Sequence, residues 1–566
     1  MKFRKASAAL ALMGVLLATP GCKDFFDVNV DPIHPTRAEL QQLLPATQVA
    51  MSTYLGFNIQ GLGQPTSALM HQLSNGRGIG AFEQSGSSFS TPWDGLYSDM
   101  LANNEQIITQ GSADGRWAYV GVAQLQKAYV FSQLVDMFGD IPYSEALKGA
   151  ANQAPRFDKD SDIYNGNPAL GIQSLFSLID EGIANMNKPG ASLSGGGDLI
   201  YNGSKDKWER FGRTLKLKLY NQVRKVQNVE AATRALLAQP LLNPGDDFEF
   251  KYGSSISPAN RHIGFLSDYG NASRENHIGR YFYLLMRYGN GLNWSMPSAS
   301  TGFPDPRLPY YFFNQRTNPT VTSSALDYQD PNNGRFVTLR QGSTGTAASA
   351  NNTAERTLPG LYPYGGRYDD GNGGAVSAMS ARGQVAQRLL PYFSRKFIEA
   401  ELQLTQLNNP IAARTALLEG VQASFDKLNA IIQNENGAPV PLQAIPLIDT
   451  TTIGAYKRAV AARFNGTMGS KTPLQVIMEE KYVASFGMGP DIYTDFRRTG
   501  FPLIPVPLPV QANQPGLVDD NDGNTSGTGS FPRRLFYSQQ DLTANPNAPK
   551  GQVSPSSNDY RIFWDR

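Results

Sequence analysis

The stretch WAYVGVAQLQKAYVFSQLVDMFGDIPYSEAL, residues 117–147, constrains the fold more than any other part of the sequence. Apolar side chains recur in it with the spacing of an α-helix, on two overlapping stripes: Ala118, Val122, Leu125 and Tyr129, and Val120, Ala123, Val130, Leu134 and Phe138. Gly139 ends this predicted helix, and Pro142 prevents it from resuming. A helix with so wide an apolar face packs on two sides, so the sequence predicts a layered helical fold.

Four other segments also predict helices. Residues 38–73 and Lys207 to about Val226 have helical periodicity, and YFSRKFIEAELQL, residues 392–404, places its apolar side chains on one stripe. The clearest start is at Thr472, where a proline at the first helical position and a glutamine three residues after the threonine resemble a capping box. We expect that helix to stop at Gly487. The predicted fold class is therefore mainly α.

Long irregular segments interrupt the helices. The Gly/Ser-rich stretch from Ser74 to Pro92 predicts a loop, and from about 242 to 391 helical periodicity gives way to Gly, Asn, Ser, Pro and aromatic residues. Another irregular stretch covers 502–551, and no internal sequence repeat of 34 to 45 residues stands out. By length, residues 37–566 could form three or more domains of usual size, or a single domain that carries a loop-rich insertion at about 242–391.

The only cysteine in the chain, Cys22, follows a segment with the layout of a secretory signal peptide. Residues 1–21 combine basic residues, a short apolar core and a small-residue end, and Gly21–Cys22 resembles a bacterial lipobox. Cys22 cannot form an internal disulfide, so lipidation at its sulfur is the first interpretation. A leftover cysteine in an ordinary secreted protein remains the alternative. We predict a signal peptide over 1–21 and a lipidated tether over 22–36.

The charge balance of the predicted mature chain gives no reason for it to seek nucleic acid. Removing residues 1–21 leaves 47 Lys plus Arg beside 48 Asp plus Glu. A near-neutral chain attracts neither a phosphate backbone nor an anionic lipid surface by its overall field.

Motif searches predict no catalytic residue, no metal site and no cofactor. The four histidines, His34, His71, His262 and His277, lack metal-ligand spacing, and no HExxH, Walker A or GxSxG pattern appears. GRGIGA, residues 76–81, follows no strand, so we interpret it as a loop. Asp158, Asp160 and Asp162 fail the EF-hand pattern. We interpret them, and Asp519, Asp520 and Asp522, as residues of solvated turns; a calcium site of another type is the alternative at either group. Asp491 and Asp495 precede Arg497 and Arg498, which favours structural ion pairs over a catalytic carboxylate pair.

Aromatic residues in the irregular segments are the remaining functional signal. A flat ring offers a stacking surface to the CH face of a sugar, and nearby Asn, Asp and Arg can hydrogen-bond its hydroxyls. The candidate ligand-binding residues are Trp93, Trp294, Tyr362, Tyr364 and Tyr368. The alternative is that these rings pack the irregular middle onto the helices.

Several strings in order along the chain resemble the SusD/RagB family of outer-membrane nutrient-binding lipoproteins. The strings FGDIPYSEA and FRRTGFP are specific, and together the set spans almost the whole predicted mature chain. The matching segments are LVDMFGDIPYSEAL (134–147), GSKDKWERFGRTLKLKLY (203–220), FPDPRLPYYF (303–312), EEKYVASFGMGPDIYTDFRRTGFP (479–502) and FPRRLFYSQQD (531–541).

The resemblance implies a scaffold of tetratricopeptide-like helix pairs with ligand-binding loops. It also implies a non-catalytic surface lipoprotein, anchored at the outer membrane by acyl chains such as palmitate, that delivers oligosaccharide to a SusC-like TonB-dependent transporter. Motif residues such as Gly139, Asp140, Pro142, Arg497 and Arg498 then look structural. A peptide-capturing member of the family is the main alternative, and a surface glycoside hydrolase is a third.

Overall fold

The computed structural model describes residues 38–74, 84–193, 195–271, 274, 276–289, 302, 304–320, 328–330, 333–339, 354–438, 442–504, 531–552 and 561–566. The signal and tether segments predicted for 1–36, including Cys22, lie outside this part of the chain.

The described chain is mainly helical. Its α-helices are α1 (Leu40–Leu55), α2 (Gly63–Leu69), α3 (Ser90–Gly95), α4 (Ala102–Ala113), α5 (Trp117–Phe138), α6 (Asp160–Asn165), α7 (Leu175–Met186), α8 (Lys205–Val223), α9 (Glu230–Leu237), α10 (Ile263–Tyr269), α11 (Arg280–Tyr288), α12 (Leu308–Tyr311), α13 (Leu361–Tyr364), α14 (Tyr392–Thr405), α15 (Pro410–Asn436), α16 (Thr450–Phe464), α17 (Pro473–Ala484), α18 (Gly489–Thr499) and α19 (Gln539–Ala544). A π-helical turn, Leu96–Leu101, joins α3 to α4.

Successive helices pack on one another as tetratricopeptide-like pairs. In the first half α4 packs on α5, α5 on α7 and α7 on α8; in the second half α14 packs on α15, α15 on α16 and α16 on α17. Contacts between α8 and α14 join the two halves. The scaffold is therefore continuous across the irregular middle of the sequence.

Helix α5 lies at the centre of the first half, as its wide apolar face predicts. Nearly all of its side chains are buried, and it ends at Phe138 because Gly139 adopts a positive φ of 83°. A Cβ on Gly121 would lie 2.5 Å from the carbonyl oxygen of Gly182 in α7. Only glycine permits this close crossing of the two helices.

Short strands tie the irregular segments together in antiparallel pairs. The largest pair joins β4 (Phe248–Phe250) to β10 (Gln387–Leu390), which lie near the two ends of the predicted insertion. This pair brings the two ends of a long segment side by side on the scaffold. The other strands are β1 (Leu73–Ser74) with β5 (His277–Ile278), β2 (Ile141–Pro142) with β3 (Phe157–Asp158), β6 (Phe312–Phe313) with β9 (Leu358–Pro359), and β7 (Tyr328–Gln329) with β8 (Val337–Thr338).

The predicted cap at Thr472 is confirmed. Its hydroxyl accepts a hydrogen bond from the backbone N–H of Gln475 at 3.2 Å, and Pro473 is the first residue of α17. The predicted stop is corrected: α17 ends at Ala484, three residues before Gly487, which has a φ of 92°.

Two other predictions on secondary structure need correction. The segment 38–73 is not one helix, because α1 ends at Leu55 and α2 begins at Gly63. The predicted loop from Ser74 to Pro92 contains the start of α3 at Ser90, where Pro92 lies in the first helical turn and costs no hydrogen bond.

The carboxylates of α18 form structural ion pairs, as the sequence indicates. Asp491 pairs with Lys218 of α8 at 2.5 Å, and Asp495 pairs with Lys481 at 2.7 Å and with Arg498 at 2.6 Å. All five side chains are less than 10% exposed. Both carboxylates are therefore engaged by ion pairs within the helical scaffold.

Candidate functional site

Trp93 lies in α3 and is buried. Its ring meets the edge of Phe138 at 4.8 Å and lies 6.4 Å from the nearly parallel ring of Phe157. Tyr97 and Tyr537 cover it further, and only 2% of the residue is exposed. The interpretation of Trp93 as a ring that offers a stacking surface to a sugar is corrected, because its ring is in contact with other aromatic side chains and is almost completely buried.

Tyr362 and Tyr364 belong to α13 and are fully buried. Tyr362 stacks on Tyr311 at 4.4 Å on one side, the Arg388 guanidinium lies 4.1 Å from its ring centre, and its hydroxyl donates to the backbone oxygen of Ala484 at 2.7 Å. The Tyr364 hydroxyl donates to an Asp268 carboxylate oxygen at 2.7 Å. These contacts correct the view of both rings as loop residues open to a ligand. Tyr362 attaches the irregular middle to α17, whereas Tyr364 binds α10 within that middle.

Tyr368 is the described candidate that reaches the surface. Its half-buried ring lies 4.9 Å from the buried ring of Tyr310, at an interplanar angle of 40°. Tyr310 is itself held by its hydroxyl, which donates to the Pro446 backbone oxygen at 2.6 Å. Trp294 lies outside the described residues, so its role stays a prediction.

Exposed apolar side chains extend the surface around Tyr368. Leu442 and Leu447 are 55% and 48% exposed, and they lie in the segment that connects α15 to α16. This segment is held beside the two rings, because Gln443 donates to the Tyr368 backbone oxygen at 3.2 Å. We call Tyr310, Tyr368, Leu442, Gln443 and Leu447 the aromatic surface.

Two carboxylates follow Tyr368 directly and differ in environment. Burial raises the pKa of Asp369 to about 6, although the N–H of Gly371 and the amide of Asn314 donate to it. Asp370 is exposed. Partial burial would raise its pKa, but hydrogen bonds from Asn372 and Gln443 and the charge of Arg367 together lower the pKa below the ordinary value. Asp370 is therefore the acceptor available to a hydroxyl-bearing ligand at this edge.

A cleft of about 340 Å³ is lined by residues of α11, α16 and α17 and by Asp305, which precedes α12 in the sequence. It combines apolar walls with aromatic and charged groups. Its lining includes Leu285, Met286, Tyr288, Gly289, Gly302, Asp305, Tyr456, Arg463, Met468, Glu479, Glu480 and Val483. The two glycines flank the segment 290–301, which contains Trp294, in the sequence.

The charges in this cleft are paired within the protein. The hydroxyl of Tyr456 donates to Asp305 at 2.7 Å and lies 3.0 Å from Glu480, which also pairs with Arg463 at 2.6 Å. Burial alone would raise the pKa of Asp305, but the adjacent Arg307 guanidinium lowers it below the ordinary value. The cleft therefore presents a polar but electrically compensated wall.

The histidines lie in the interior and are not placed for surface chemistry. Burial lowers the pKa of His71 and of His262 to about 3, and lowers that of His277 well below its ordinary value. All three are neutral at ordinary pH. His34 lies outside the described residues, as do GRGIGA and the aspartates 519, 520 and 522.

The described residues contain no group of three or more His, Cys, Asp or Glu side chains arranged to hold a metal ion. Within the same ranges, no helix has both the length and the apolar character needed to cross a bilayer.

Sequence reasoning missed Tyr310, Tyr288 and Tyr456. Tyr310 is part of the string FPDPRLPYYF, which carries the family resemblance, so this string could have pointed to Tyr310. Tyr456 lies in GAYKRAVAARF, part of a helix that has basic but no acidic residues. This excess of positive charge is visible in the sequence and could have drawn attention to the helix.

The fold defines a class: a tetratricopeptide-like helical protein with long irregular segments packed on its helices. A family model described as "Starch-binding associating with outer membrane" (SusD-like) matches residues 67–522. The chain therefore belongs to the SusD-like family. No curated protein matches it.

Several solved structures have the same fold. A chitin-binding protein is 20% identical, with a TM-score of 0.65, and the match covers 93% of this chain and 100% of that one. A SusD/RagB family protein from Bacteroides thetaiotaomicron is 20% identical, with a TM-score of 0.61 and coverage of 94% and 99%. A Bacteroidetes SusD-like protein is 17% identical, with a TM-score of 0.65 and coverage of 94% and 100%.

Proposed function

We propose that this protein is a non-catalytic lipoprotein of the outer membrane that captures an oligosaccharide and delivers it to a SusC-like TonB-dependent transporter. Membership of a family described as starch-binding and associated with the outer membrane supports the ligand class and the location. The chitin-binding protein with the same fold is a further example of a carbohydrate ligand on this scaffold.

The single observation that carries the ligand proposal is the aromatic surface. A half-buried ring backed by a second ring has a fixed plane, so little conformational entropy is lost when a sugar stacks on it. Tyr368 is fixed in this way by Tyr310, and Asp370 and Gln443 supply polar groups beside it. Leu442 and Leu447 add apolar contact area for the CH groups of further sugar units.

The test is binding to an array of glycans and peptides by the soluble form that begins after Cys22. Tyr368→Ala should weaken binding to the recognised glycan by about tenfold, since loss of a well-placed ring contact removes roughly 1 kcal/mol or more. The matched control is Tyr220→Ala, because Tyr220 is also half-buried and stacks on another ring, Phe176, at 4.5 Å. Trp294→Ala is the parallel variant for the predicted residue outside the described ranges.

Three outcomes of this test would contradict the proposal in different ways. If Tyr368→Ala and Tyr220→Ala weakened glycan binding equally, the aromatic surface would not be the binding site. Binding to peptides but not glycans would favour the peptide-capturing alternative, for which the carboxylate-bearing cleft around Glu480 is the better place. Turnover of a polysaccharide by the purified protein would show a glycoside hydrolase instead.

The anchor is proposed to be the acylated sulfur of Cys22. A protein held by acyl chains needs no membrane-spanning helix, because two or more buried chains make a stable anchor. Cys22→Ser should abolish labelling by palmitate and move the protein from the membrane to the soluble fraction. Retention of the serine variant on membranes would contradict the anchor without touching the ligand proposal.

A further inference from the structure

A groove of about 330 Å³ lies between α15 and α16 and shares no lining residue with the cleft around Glu480. Its floor is apolar and includes Leu418, Ile453 and Ala461. Three basic side chains line it: Arg414 from α15, and Lys457 and Arg458 from α16.

These three cations have no carboxylate partner among the described residues. Arg414 and Arg458 are exposed and take part in no ion pair there, and Lys457 donates to the amide oxygen of Gln422 at 3.0 Å. A Cβ on Gly454 would lie 3.4 Å from an Arg458 guanidinium nitrogen. The glycine therefore leaves room for the Arg458 side chain to lie along α16 at the edge of the groove.

The nearest acidic residues on these two helices have other contacts. Glu419 pairs with Lys396 of α14, Asp449 caps the first turn of α16, and Asp426 accepts from the amide of Gln422. None of the three lines the groove. The predicted mature chain has almost equal numbers of basic and acidic residues. It nevertheless places three uncompensated positive charges at this one apolar groove.

The groove and the aromatic surface are connected by the chain itself. Leu447 of the aromatic surface is three residues before Thr450, the first residue of α16, which also lines the groove. The Ile448 backbone N–H donates to Asn429 of α15 at 3.0 Å, so this connection runs along α15. From Thr450 to Arg458 the helix rises by about 12 Å.

We propose that the groove is a binding site for the carboxylate or sulfate groups of an acidic oligosaccharide, whose less charged part lies on the aromatic surface. Guanidinium groups suit this role because their planar fork donates two parallel hydrogen bonds to a carboxylate or sulfate. The apolar floor accepts the sugar ring that carries the charge. This inference rests on the proposed function, since it names the class of glycan that such a protein captures.

The test compares polymers that differ only in charge, by calorimetry at low and at high salt. Polygalacturonate is paired with its methyl ester, and dextran sulfate with dextran, so the two arms separate carboxylate from sulfate. The double variant Arg414→Gln/Arg458→Gln should lose about tenfold or more in affinity for one of the charged polymers. Its affinity for a neutral glycan bound through Tyr368 should stay the same.

The matched control is Lys148→Gln/Arg234→Gln, which removes the same charge from exposed positions elsewhere. Equal loss in both double variants would reduce the effect to overall charge and overturn the inference. Binding of neutral but not charged glycans by the wild-type protein would also overturn it, and would leave the proposed function standing. If the wild-type protein bound no glycan at all, both this inference and the proposed function would be wrong.

Discussion

Two groups of basic residues on the helical scaffold have opposite surroundings. Arg498, on α18, is buried and pairs with Glu401 and Asp495, and Arg224 pairs with the same glutamate at 2.6 Å. Arg414 and Arg458, on α15 and α16, are exposed and have no carboxylate partner in the part of the chain that the structure describes. The first group is part of the scaffold, whereas the second is available to a ligand.

These surroundings determine which charges a mutation can remove without unfolding the protein. A buried guanidinium has lost its hydration, so it depends on the partner that replaced water; burial lowers the pKa of Arg498 well below its ordinary value for the same reason. An exposed guanidinium stays hydrated, so its stability in the folded protein does not depend on a partner side chain. The loss of stability on substitution should therefore decrease from buried to exposed charges.

The largest effect is expected for Glu401→Ala. It leaves Arg224 and Arg498 without their shared carboxylate in the interior, which should lower the free energy of unfolding by about 3–5 kcal/mol. Urea denaturation measures the change. The control is Glu419→Ala, whose partially exposed pair with Lys396 should contribute about 1 kcal/mol or less. Similar losses for the two variants would end the distinction between scaffold and surface charges.

Arg388→Met tests a buried cation that is held by carbonyl oxygens. Its guanidinium donates to the backbone oxygens of Tyr362 and Phe486, at 3.0 Å each, and lies against the Tyr362 ring. Methionine fills much of the space but leaves these oxygens unpaired, so we expect a loss of about 2–3 kcal/mol in the free energy of unfolding. A neutral result would show that water replaces the guanidinium.

Glu435 offers an intermediate case with a pH signature. Burial raises its pKa to about 7, although Arg382, 3.4 Å away, opposes the shift. The unfolded carboxyl has a pKa of about 4.3, so the folded state binds more protons between these values, and stability rises as pH falls from about 7 toward about 4.5.

The corresponding variant is Glu435→Gln, which cannot titrate. The difference in free energy of unfolding between wild type and this variant should change by roughly 2 kcal/mol between pH 8 and pH 5, with the wild type gaining at the lower pH. Thermal and urea unfolding at four pH values measure it. A difference that does not vary with pH would contradict the buried, protonatable state of Glu435.

The smallest effect on folding is expected at the groove. Arg414→Gln/Arg458→Gln should alter the free energy of unfolding by less than about 0.5 kcal/mol, since exposed positions outside special contacts are near neutral. Circular dichroism melts check this before any binding is measured. A clear loss of stability would place these arginines with Arg498 as scaffold charges.

Local sequence signals predicted the structure correctly where residues in or next to a helix determine where that helix begins or ends. The bounds of α5 and the cap of α17 could be predicted because periodicity, glycine and a threonine three residues from a glutamine act within a few residues. Helix α15 was missed, although it is the longest in the described chain. Its buried stripe includes Ala413, Ala416, Gly420 and Ser424, which give little contrast in hydrophobicity between its two faces.

The aromatic residues show where sequence reasoning stops. Tyr362 and Tyr368 lie in the same irregular stretch and look alike in the sequence. Tyr362 is buried because Ala484, 122 residues later, accepts its hydrogen bond, while Tyr368 remains half-exposed on Tyr310. Burial depends on partners distant in the sequence, and no local pattern encodes it.

Strings, periods and short spacings in the sequence were enough to predict the family, the mainly helical class and the structural nature of the carboxylates of Asp491 and Asp495. The tertiary structure alone shows which rings reach the surface and that Arg414 faces Lys457 and Arg458 across one groove. Those residues come from two helices, and their proximity follows from how α15 packs on α16.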